Sequence, residues 1–390
     1  MRDMTKLIHW PVDRLAPKGG PSGYLFGLKH GLEQNGVHDF EFLPPVGKSI
    51  ESNRTLQRVI PRRIKDLRRL RGLEMLPSRI VSAPVLYGDY SVIHFHSTED
   101  MYLHRKDLSS YKGKVVLSSH SPCAYHKELI ARLNEKDVCK RKPQLERLGV
   151  IDEYSFKRAD WIIFPCPEAE EPYFHTWERY GEVRDASKIV YCPTGTRKCF
   201  ARESRQEVRR RLGIPNHAFV ISYVGRHNEI KGYADLVGAA PYILENDDVW
   251  FLIAGKEEPL KGLDHPRWIE VGWTDDPHSI VSAADVFVLP NKETYFDLVL
   301  LEVLSLGQIV IAKNTGGNRY FSQFELEGIR LYDGDLELIQ HVDWLRKQSP
   351  SDQAKWRREN QALFEAHFTC RAFAERYARL MSHIERNEKL

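Results

Sequence analysis

Residues 285–317 read DVFVLPNKETYFDLVLLEVLSLGQIVIAKNTGG. An apolar, β-branched run ends at Pro290, a polar loop follows, and Asp297 opens a stretch in which Leu298, Leu301 and Leu304 recur at helical spacing. Asp297 has the side chain of a helix N-cap. A second β-branched run, QIVIAK (308–313), stops at Thr315-Gly316-Gly317. Strand, helix and strand in so short a span make a βαβ unit, which joins parallel neighbours of one sheet.

The same alternation extends in both directions. Upstream in this half, strands are expected at FVISYVG (219–225), VWFLIAG (249–255) and RWIEVG (267–272), and downstream at GIRLY (328–332). The first half offers KLIHW (6–10), FEFLP (40–44), SVIHFH (91–96), KVVLSSH (114–120), DWIIFP (160–165) and KIVYCP (188–193). Helical patterns fit between them at 22–35, 143–158, 203–212, 231–244, 277–284, 297–306, 335–347, 352–367 and 371–386. The fold class is α/β, with two Rossmann-like, doubly wound domains.

A chain of 390 residues suits two domains. The break is expected near TGTRKCFARE (194–203), giving domains at 1–198 and 199–370 and a terminal helix at 371–390. With 42% hydrophobic and 28% charged residues the composition excludes global disorder. No run reaches the length of a membrane span, and the opening MRDMTKLIHWPVDR lacks the pattern of a signal peptide, so a cytoplasmic location is expected. Six scattered cysteines without a C-x-x-C pair indicate neither a disulfide framework nor a zinc site, and are expected to be free, mostly buried thiols. The net charge of +3 hides an asymmetry, since residues 1–200 hold 33 Lys+Arg against 25 Asp+Glu and the remainder is acidic.

Open parallel sheets bind ligands beyond the carboxyl ends of their strands, where the strand order reverses, and two facing sheets would make a cleft there. Three loops in such positions carry suitable chemistry. Lys18-Gly19-Gly20-Pro21-Ser22-Gly23 follows the first strand and can be a ligand loop, with Ser22 capping the next helix, or a plain tight turn. Its spacing is not that of a dinucleotide fingerprint. Gly225-Arg226 closes a strand and Lys231-Gly232 opens the next helix, so a planar fork and a point charge could meet a diphosphate, or both could be ordinary surface cations. In the opening segment, Glu302 sits one turn inside its helix, where a carboxylate can accept from both hydroxyls of a cis-diol, or simply face solvent.

Taken together, YVGRHNEIKGY (223–233), PNKETYFDLVLLEVLSLG (290–307) and the Thr315-Gly316-Gly317 turn resemble the nucleotide-sugar half of retaining GT-B glycosyltransferases, specifically glycosyltransferase family 4. The likeness runs in order through residues 188–325, with IVYCPTGT, AGK and VGWTDD as further matching strand ends. It is looser in the first half, resting on the Gly-rich loop and His120. The resemblance implies a GT-B fold with an acceptor-side first domain, a nucleotide-sugar-binding second domain, and a last helix packed back on the first. It further implies that Arg226 and Lys231 hold the donor diphosphate beside Gly225, and that Glu302 binds the ribose. Trp273 would lie beside the base. Thr294, Phe296, Asp297, Leu298, Gly316 and Gly317 would line the donor. Gly19 and Gly20 would face the phosphate and acceptor, and His120 the donor sugar.

The pattern departs from the family in places. Thr294 stands eight residues before Glu302, where the family has its first glutamate, and Glu293 is one residue earlier. A loop shifted by one residue would bring Glu293 to the sugar. Asp297 replaces a common glycine, so its carboxylate either caps the helix or repels the donor, and Thr194 replaces an asparagine. The only Asp-x-Asp, Asp333-Gly334-Asp335, reads as a turn. The resemblance implies basic residues and helix dipoles in place of a divalent ion, so no cofactor and no metal are expected and activity should persist in EDTA. His94 and His96 are expected on opposite faces of their strand, without a third metal ligand nearby.

The segment 54–71, RTLQRVIPRRIKDLRRLR, holds eight Lys/Arg and one acid. It suits an anionic membrane surface and a lipid-linked glycan acceptor, or is a solvated basic helix or loop. Nucleic acid is not an expected partner, because aromatic residues are not interleaved with the charges. The reading is a retaining transfer of a hexose-type sugar from a nucleoside diphosphate, UDP being the family's commonest, in cell-surface polysaccharide synthesis. A nucleotide-sugar epimerase and a non-catalytic nucleotide-sugar-binding module are the alternatives.

Overall fold

All twelve expected strands are present in the computed structural model, which describes residues 5–10, 15–17, 20–43, 61, 63, 64, 67, 87–131, 133–257 and 259–387. The first sheet contains β1 (Thr5–His9), β2 (Phe40–Phe42), β3 (Tyr90–Phe95), β4 (Lys114–Leu117), β5 (Trp161–Phe164) and β6 (Ile189–Tyr191), in the order β2-β1-β3-β4-β5-β6. The second contains β7 (Phe219–Val224), β8 (Val249–Ala254), β9 (Trp268–Gly272), β10 (Val286–Leu289), β11 (Ile309–Lys313) and β12 (Ile329–Tyr332), in the order β12-β11-β10-β7-β8-β9. Every neighbouring pair is parallel. The order reverses between β1 and β3 and between β7 and β10, so these are the two switch points.

The second sheet is apolar on both faces. Ile221, Phe251, Val288 and Ile311 belong to one buried cluster, and Val220, Leu252 and Ala254 to another under Val208, Ile280 and Ala283. This is why β8, β10 and β11 read as continuous apolar runs, while the edge strands β9 and β12 carry Glu270 and Arg330.

The chain divides into two compact units, one of Met1–Pro165, Pro172–Cys192 and Ala374–Leu390, the other of Cys166–Glu171 and Pro193–Phe373. The main break thus falls after Cys192, ahead of the boundary drawn at 198. The reason is local: β6 ends at Tyr191, and Thr196 already bridges to Thr369 within the second unit. The helix Cys370–Arg386 begins in the second unit and continues into the first, where the Tyr377 hydroxyl meets His94 Nδ1 at 2.7 Å.

Two helix expectations change. The span 143–158 is two helices, Lys142–Glu146 and Gly149–Arg158, with glycine, a poor helix former, at the second start. Short helices at Thr98–Leu103 and Glu135–Lys140, capped by Ser97 and Asn134, and at Tyr125–Ala131 were not anticipated. One or two turns hold too few residues to show a period of 3.6. In Leu298–Ser305 the buried residues are Leu300, Leu301, Val303, Leu304 and Ser305, while Leu298 is only half-buried, so the stripe is rotated from the expected Leu298, Leu301 and Leu304.

One buried cation ties the second sheet to its flanking helix. Arg209, 1% exposed, donates Nη2 to Asp285 Oδ2 at 2.8 Å, Nη1 to the carbonyls of Asn216 and Ala218, and Nε to the carbonyl of Ala283. Asp285 also accepts from Val220 N–H at 2.8 Å, next to the switch point. Arg209→Ala would leave three carbonyls without their donor and Asp285 held by Arg205 Nη2, at 2.6 Å, and Val220 N–H. It should lower stability by about 2–4 kcal/mol, read as a fall in the denaturation midpoint.

Candidate functional site

Beginning at the β7/β10 switch point and running away from β10, the neighbouring strands β7, β8 and β9 each close on a glycine. Gly225 N–H donates to the Ala254 carbonyl at 3.0 Å, and Gly255 N–H to the Gly272 carbonyl at 2.8 Å. A Cβ on Gly255 would fall 1.8 Å from the Gly225 oxygen. Arg226 follows, exposed and without an ion pair among the described residues. His227 turns inward and stacks on Tyr233 with ring centroids 3.9 Å apart. Its ring nitrogens find no hydrogen-bond partner among the described residues, and burial pushes the imidazole below its ordinary range against the pull of Glu270.

The loop then reaches Gly232, whose φ of +62° is left-handed and whose Cβ would lie 1.7 Å from the Pro290 carbonyl oxygen. Glycine is required there twice over, by conformation and by space. Lys292 N–H donates to the Ile230 carbonyl at 3.0 Å and completes the junction with the β10 loop. Lys231 Nζ is thereby placed 2.7 Å from Asp297 Oδ2. Asn291 Nδ2 donates to the same oxygen at 2.5 Å, and Asp297 Oδ1 accepts from Val299 N–H at 3.1 Å as the cap of Leu298–Ser305. Burial pushes the Asp297 carboxyl up. Lys231, Val299 N–H and the Asn291 amide outweigh it and hold the group below its ordinary value. Its charge is therefore balanced within the protein.

The β10 loop packs on the turn after β11. Gly317 N–H donates to the Thr294 carbonyl at 3.2 Å, and a Cβ on Gly316 (φ +42°) would fall 2.1 Å from that same oxygen. Gly316 N–H donates to Glu171 Oε2 at 3.0 Å, and Arg319 Nη1 lies 2.9 Å from that oxygen. Thr294 is buried and Glu293 half-buried. Phe296, 8% exposed, packs among Tyr320, Phe321 and Phe368, so its ring belongs to the core.

One turn into its helix, Glu302 Oε2 lies 3.6 Å from His278 Nε2. A hydrogen bond with Cys199 and the Glu302 carboxylate push His278 up to about 10. Trp273, just after Gly272, is 75% exposed.

In the first unit, Gly20 opens the helix Gly20–Gln34 with φ +61° and open space where a Cβ would be, while Gly19 lies outside the described residues. Ser22 falls inside the first turn and accepts from Ala16 N–H at 3.0 Å, so it pins the preceding loop and does not cap the helix from outside. His120 has a left-handed φ of +56°. Its Nε2 meets His96 Nδ1 at 2.7 Å, its ring stands against Tyr24, and His94 Nε2 meets Ser118 Oγ at 3.0 Å. His94 and His96 share one face, ring centroids 3.9 Å apart, which corrects the expectation of opposite faces: residues two apart on a strand point the same way.

Of the basic segment 54–71, only Pro61, Arg63, Ile64 and Leu67 are described. Arg63 is engaged by Asp137 through two hydrogen bonds of 2.5 and 2.9 Å, and Leu67 packs against the buried cluster of Leu103, Leu129, Leu145, Leu148 and Ile151. Asn291, Glu171, His278 and Cys199 were not singled out from sequence. Nothing short of the fold links them to the residues they touch.

The architecture superposes along nearly its whole length on known proteins. Sucrose-phosphate synthase of Thermosynechococcus elongatus matches with a TM-score of 0.65 at 18% identity, over 98% of this chain and 99% of that one. HepE of Anabaena, solved with UDP-glucose, matches with a TM-score of 0.62 at 14% identity, over 97% and 99%. The fold is GT-B.

Within this GT-B chain, residues 218–346 match the family model described as Glycosyl transferases group 1. That span begins just before β7 and contains Arg226, Lys231, the β10 loop, Glu302 and Gly316–Gly317. The UDP-Gal:alpha-D-GlcNAc-diphosphoundecaprenol alpha-1,3-galactosyltransferase of Escherichia coli is 32% identical over 138 residues, 32% of this chain and 36% of that protein. The chain spans from a quarter to just over half the length of the curated relatives it matches.

Two tests follow from the electrostatics of the GT-B chain. Lys231→Ala would leave the buried Asp297 with the Asn291 amide and Val299 N–H but without its counter-charge. It should raise that carboxyl, reduce stability at pH 7 by about 3 kcal/mol, and start acid unfolding at higher pH. In the wild type the depressed carboxyl contributes stability above its unfolded value of about 3.9, lost as pH falls through the lower folded value. Burial first, and neighbouring imidazoles second, hold His94 and His96 well below the ordinary range, and burial puts His120 at about 3. The unfolded chain takes up these protons near pH 6.5, so stability should be full above about pH 7 and decline as pH falls below about 6.5. Denaturant titrations at a series of pH values check both, and a flat profile between pH 7 and 5 would rule out the histidine contribution.

Proposed function

We propose that this protein is a retaining, metal-independent glycosyltransferase of family 4 that moves a hexose-type sugar from UDP to an acceptor hydroxyl. The observation that carries the reading is the placement of Arg226, exposed and unpaired among the described residues, at the β7/β10 switch point, beside the loop that holds Lys231. An open sheet of this order binds ligands there, and a cationic fork suits a diphosphate. The match over 218–346 and the UDP-glucose in the HepE structure support a nucleotide-sugar donor.

In the reaction, the bond from the anomeric carbon to the phosphate oxygen breaks. A bond to the acceptor oxygen forms on the same face, and the acceptor proton passes to the departing phosphate. Arg226 and Lys231 stabilise the charge that develops on that phosphate, the largest contribution such a site makes. Lys231 does so while paired with Asp297, which fixes its ammonium in place. Glu302 accepts from the ribose hydroxyls and Trp273 offers a face to the base. Thr294 or Glu293 meets the sugar, and Gly225 and Gly317 allow close approach of backbone. His120, Gly19 and Gly20 serve the acceptor side.

A lipid-linked glycan acceptor in surface polysaccharide synthesis is supported by the name of the Escherichia coli relative, which specifies a diphosphoundecaprenol substrate. Among the described residues no helix is long and apolar enough to cross a membrane, and a peripheral position through residues 54–71 is the proposed arrangement.

Calorimetric titration of UDP and GDP in EDTA tests the donor site. UDP should bind without metal, and Glu302→Ala should weaken it by about 1–3 kcal/mol, as for a lost charged hydrogen bond. Arg226→Ala should lower turnover about 100-fold or more with an unchanged thermal transition. Binding of neither nucleotide would overturn the reading, and interconversion of the donor without acceptor would replace it with an epimerase.

A further inference from the structure

We propose that Cys199, His278 and Glu302 form a binding site for a zinc-type divalent cation, and that this cation and the nucleoside exclude one another. The second half of the statement rests on the proposed role of Glu302 at the ribose; the first does not.

One donor atom from each residue lies within 4.8 Å of the others, and all three residues are half-buried, so a hydrated ion can reach them. The His278 Nε2 to Glu302 Oε2 separation of 3.6 Å is close to the ~3.4 Å that two ligands subtend at tetrahedral zinc with bonds of about 2.0–2.1 Å. Thiolate, imidazole and carboxylate together suit Zn²⁺ or Co²⁺, whereas Mg²⁺ and Ca²⁺ select all-oxygen sites. Three protein donors leave a fourth position for water.

The donors come from three separate stretches of chain, and hydrogen bonds fix each relative to the next. Cys199 N–H donates to Ser305 Oγ at 3.1 Å, and Ser305 Oγ donates to the Glu302 carbonyl at 2.6 Å. A few residues on, Arg202 N–H and Glu203 N–H both donate to Ser279 Oγ at 2.9 Å, next to His278. Ser279 is held in turn by Asp276, the cap of the helix Pro277–Ala283. The segment 199–203 is therefore fastened at one end to the helix of Glu302 and at the other to the helix of His278. Such pre-placement reduces the ordering cost of binding.

The other histidine and carboxylate cluster, His9, Asp100 and His104, differs in kind. There Tyr87 bridges His9 Nε2 and His104 Nδ1 at 3.0 and 2.8 Å, and Asp100 holds His9 Nδ1 at 2.5 Å, so the ring nitrogens are already engaged. In the Cys199 cluster the hydrogen bonds of His278 run to the two other proposed ligands, Cys199 and Glu302, and the Cys199 thiol also donates to the Arg197 carbonyl at 3.6 Å.

Binding exchanges the thiol proton of Cys199 and the imidazolium proton of His278 for the metal and releases both to solvent, so affinity rises with pH. With its carboxylate on the cation, Glu302 cannot accept from a cis-diol. Zinc is thus an inhibitor here and not a participant in transfer.

The test is a titration of the full chain, stripped with EDTA and desalted, with Co²⁺ followed by thiolate-to-metal charge-transfer absorbance, and with Zn²⁺ in competition. One equivalent should bind with the thiolate band. Cys199→Ser and, separately, His278→Gln should abolish the band and weaken zinc by about two orders of magnitude. Cys139→Ser, which alters an exposed thiol elsewhere, should leave both unchanged. No stoichiometric site, or one unchanged in both Cys199→Ser and His278→Gln, overturns the proposal. UDP titrations with and without one equivalent of zinc then read the exclusion: about tenfold weaker binding in the wild type and none in Cys199→Ser is expected. Unchanged UDP binding in zinc-loaded wild type overturns the exclusion. Failure of UDP to bind even in EDTA counts against the donor-site reading, while the cobalt titration still decides the cation site.

Discussion

The geometry of the second unit depends on how closely its strand-end loops pack backbone against backbone. Gly232 sits where any side chain would collide with the Pro290 carbonyl, and Gly316 where it would collide with that of Thr294. Both also hold left-handed backbone, which an L side chain resists. These two contacts seat the β7 loop on the β10 loop, and the β10 loop on the turn after β11. Every charged group of the candidate donor site there is carried by one of those loops or by the helix that follows.

Within that frame the placement of Lys231 is an electrostatic matter. Asp297 is taken out of water by the loops around it, and a carboxylate so placed needs a partner. Lys231 supplies the charge and Asn291 and Val299 the hydrogen bonds. A cation held this way is ordered before any ligand arrives and loses little side-chain freedom on binding. The corresponding cost is a weaker net field, since part of its charge already answers Asp297.

What sequence could reveal divides along physical lines. The inner strands were legible because a parallel sheet buried on both faces demands continuous apolar runs, and VFVL at β10 or IVIAK at β11 suits such a strand better than any surface element. Asp297 was legible as a cap because capping is local. The short helices between Thr98 and Lys140 were not, because caps such as Ser97 and Asn134 stand before too few residues to show a period. The Phe296 side chain was expected at the donor and is in the aromatic core, a distinction of facing that a loop sequence does not encode. The Cys199, His278 and Glu302 grouping lay out of reach, since only the packing of two helices around one extended segment assembles it.

The helix Cys370–Arg386 gives the chain an unusual order of assembly. Tyr377, fully buried, closes on His94, and Glu385 lies 3.0 Å from Lys6 on the first strand. The first unit therefore draws structural parts from both extremes of the sequence, with Pro193–Phe373 inserted between them. On a ribosome adding about 5–20 residues per second, the inserted unit takes on the order of tens of seconds to emerge. For all that time the first sheet has been made but lacks its closing helix, with the imidazole of His94 waiting for its phenol. The unit synthesised first is thus the one completed last, and its hydrophobic surface is the one a nascent-chain chaperone would meet.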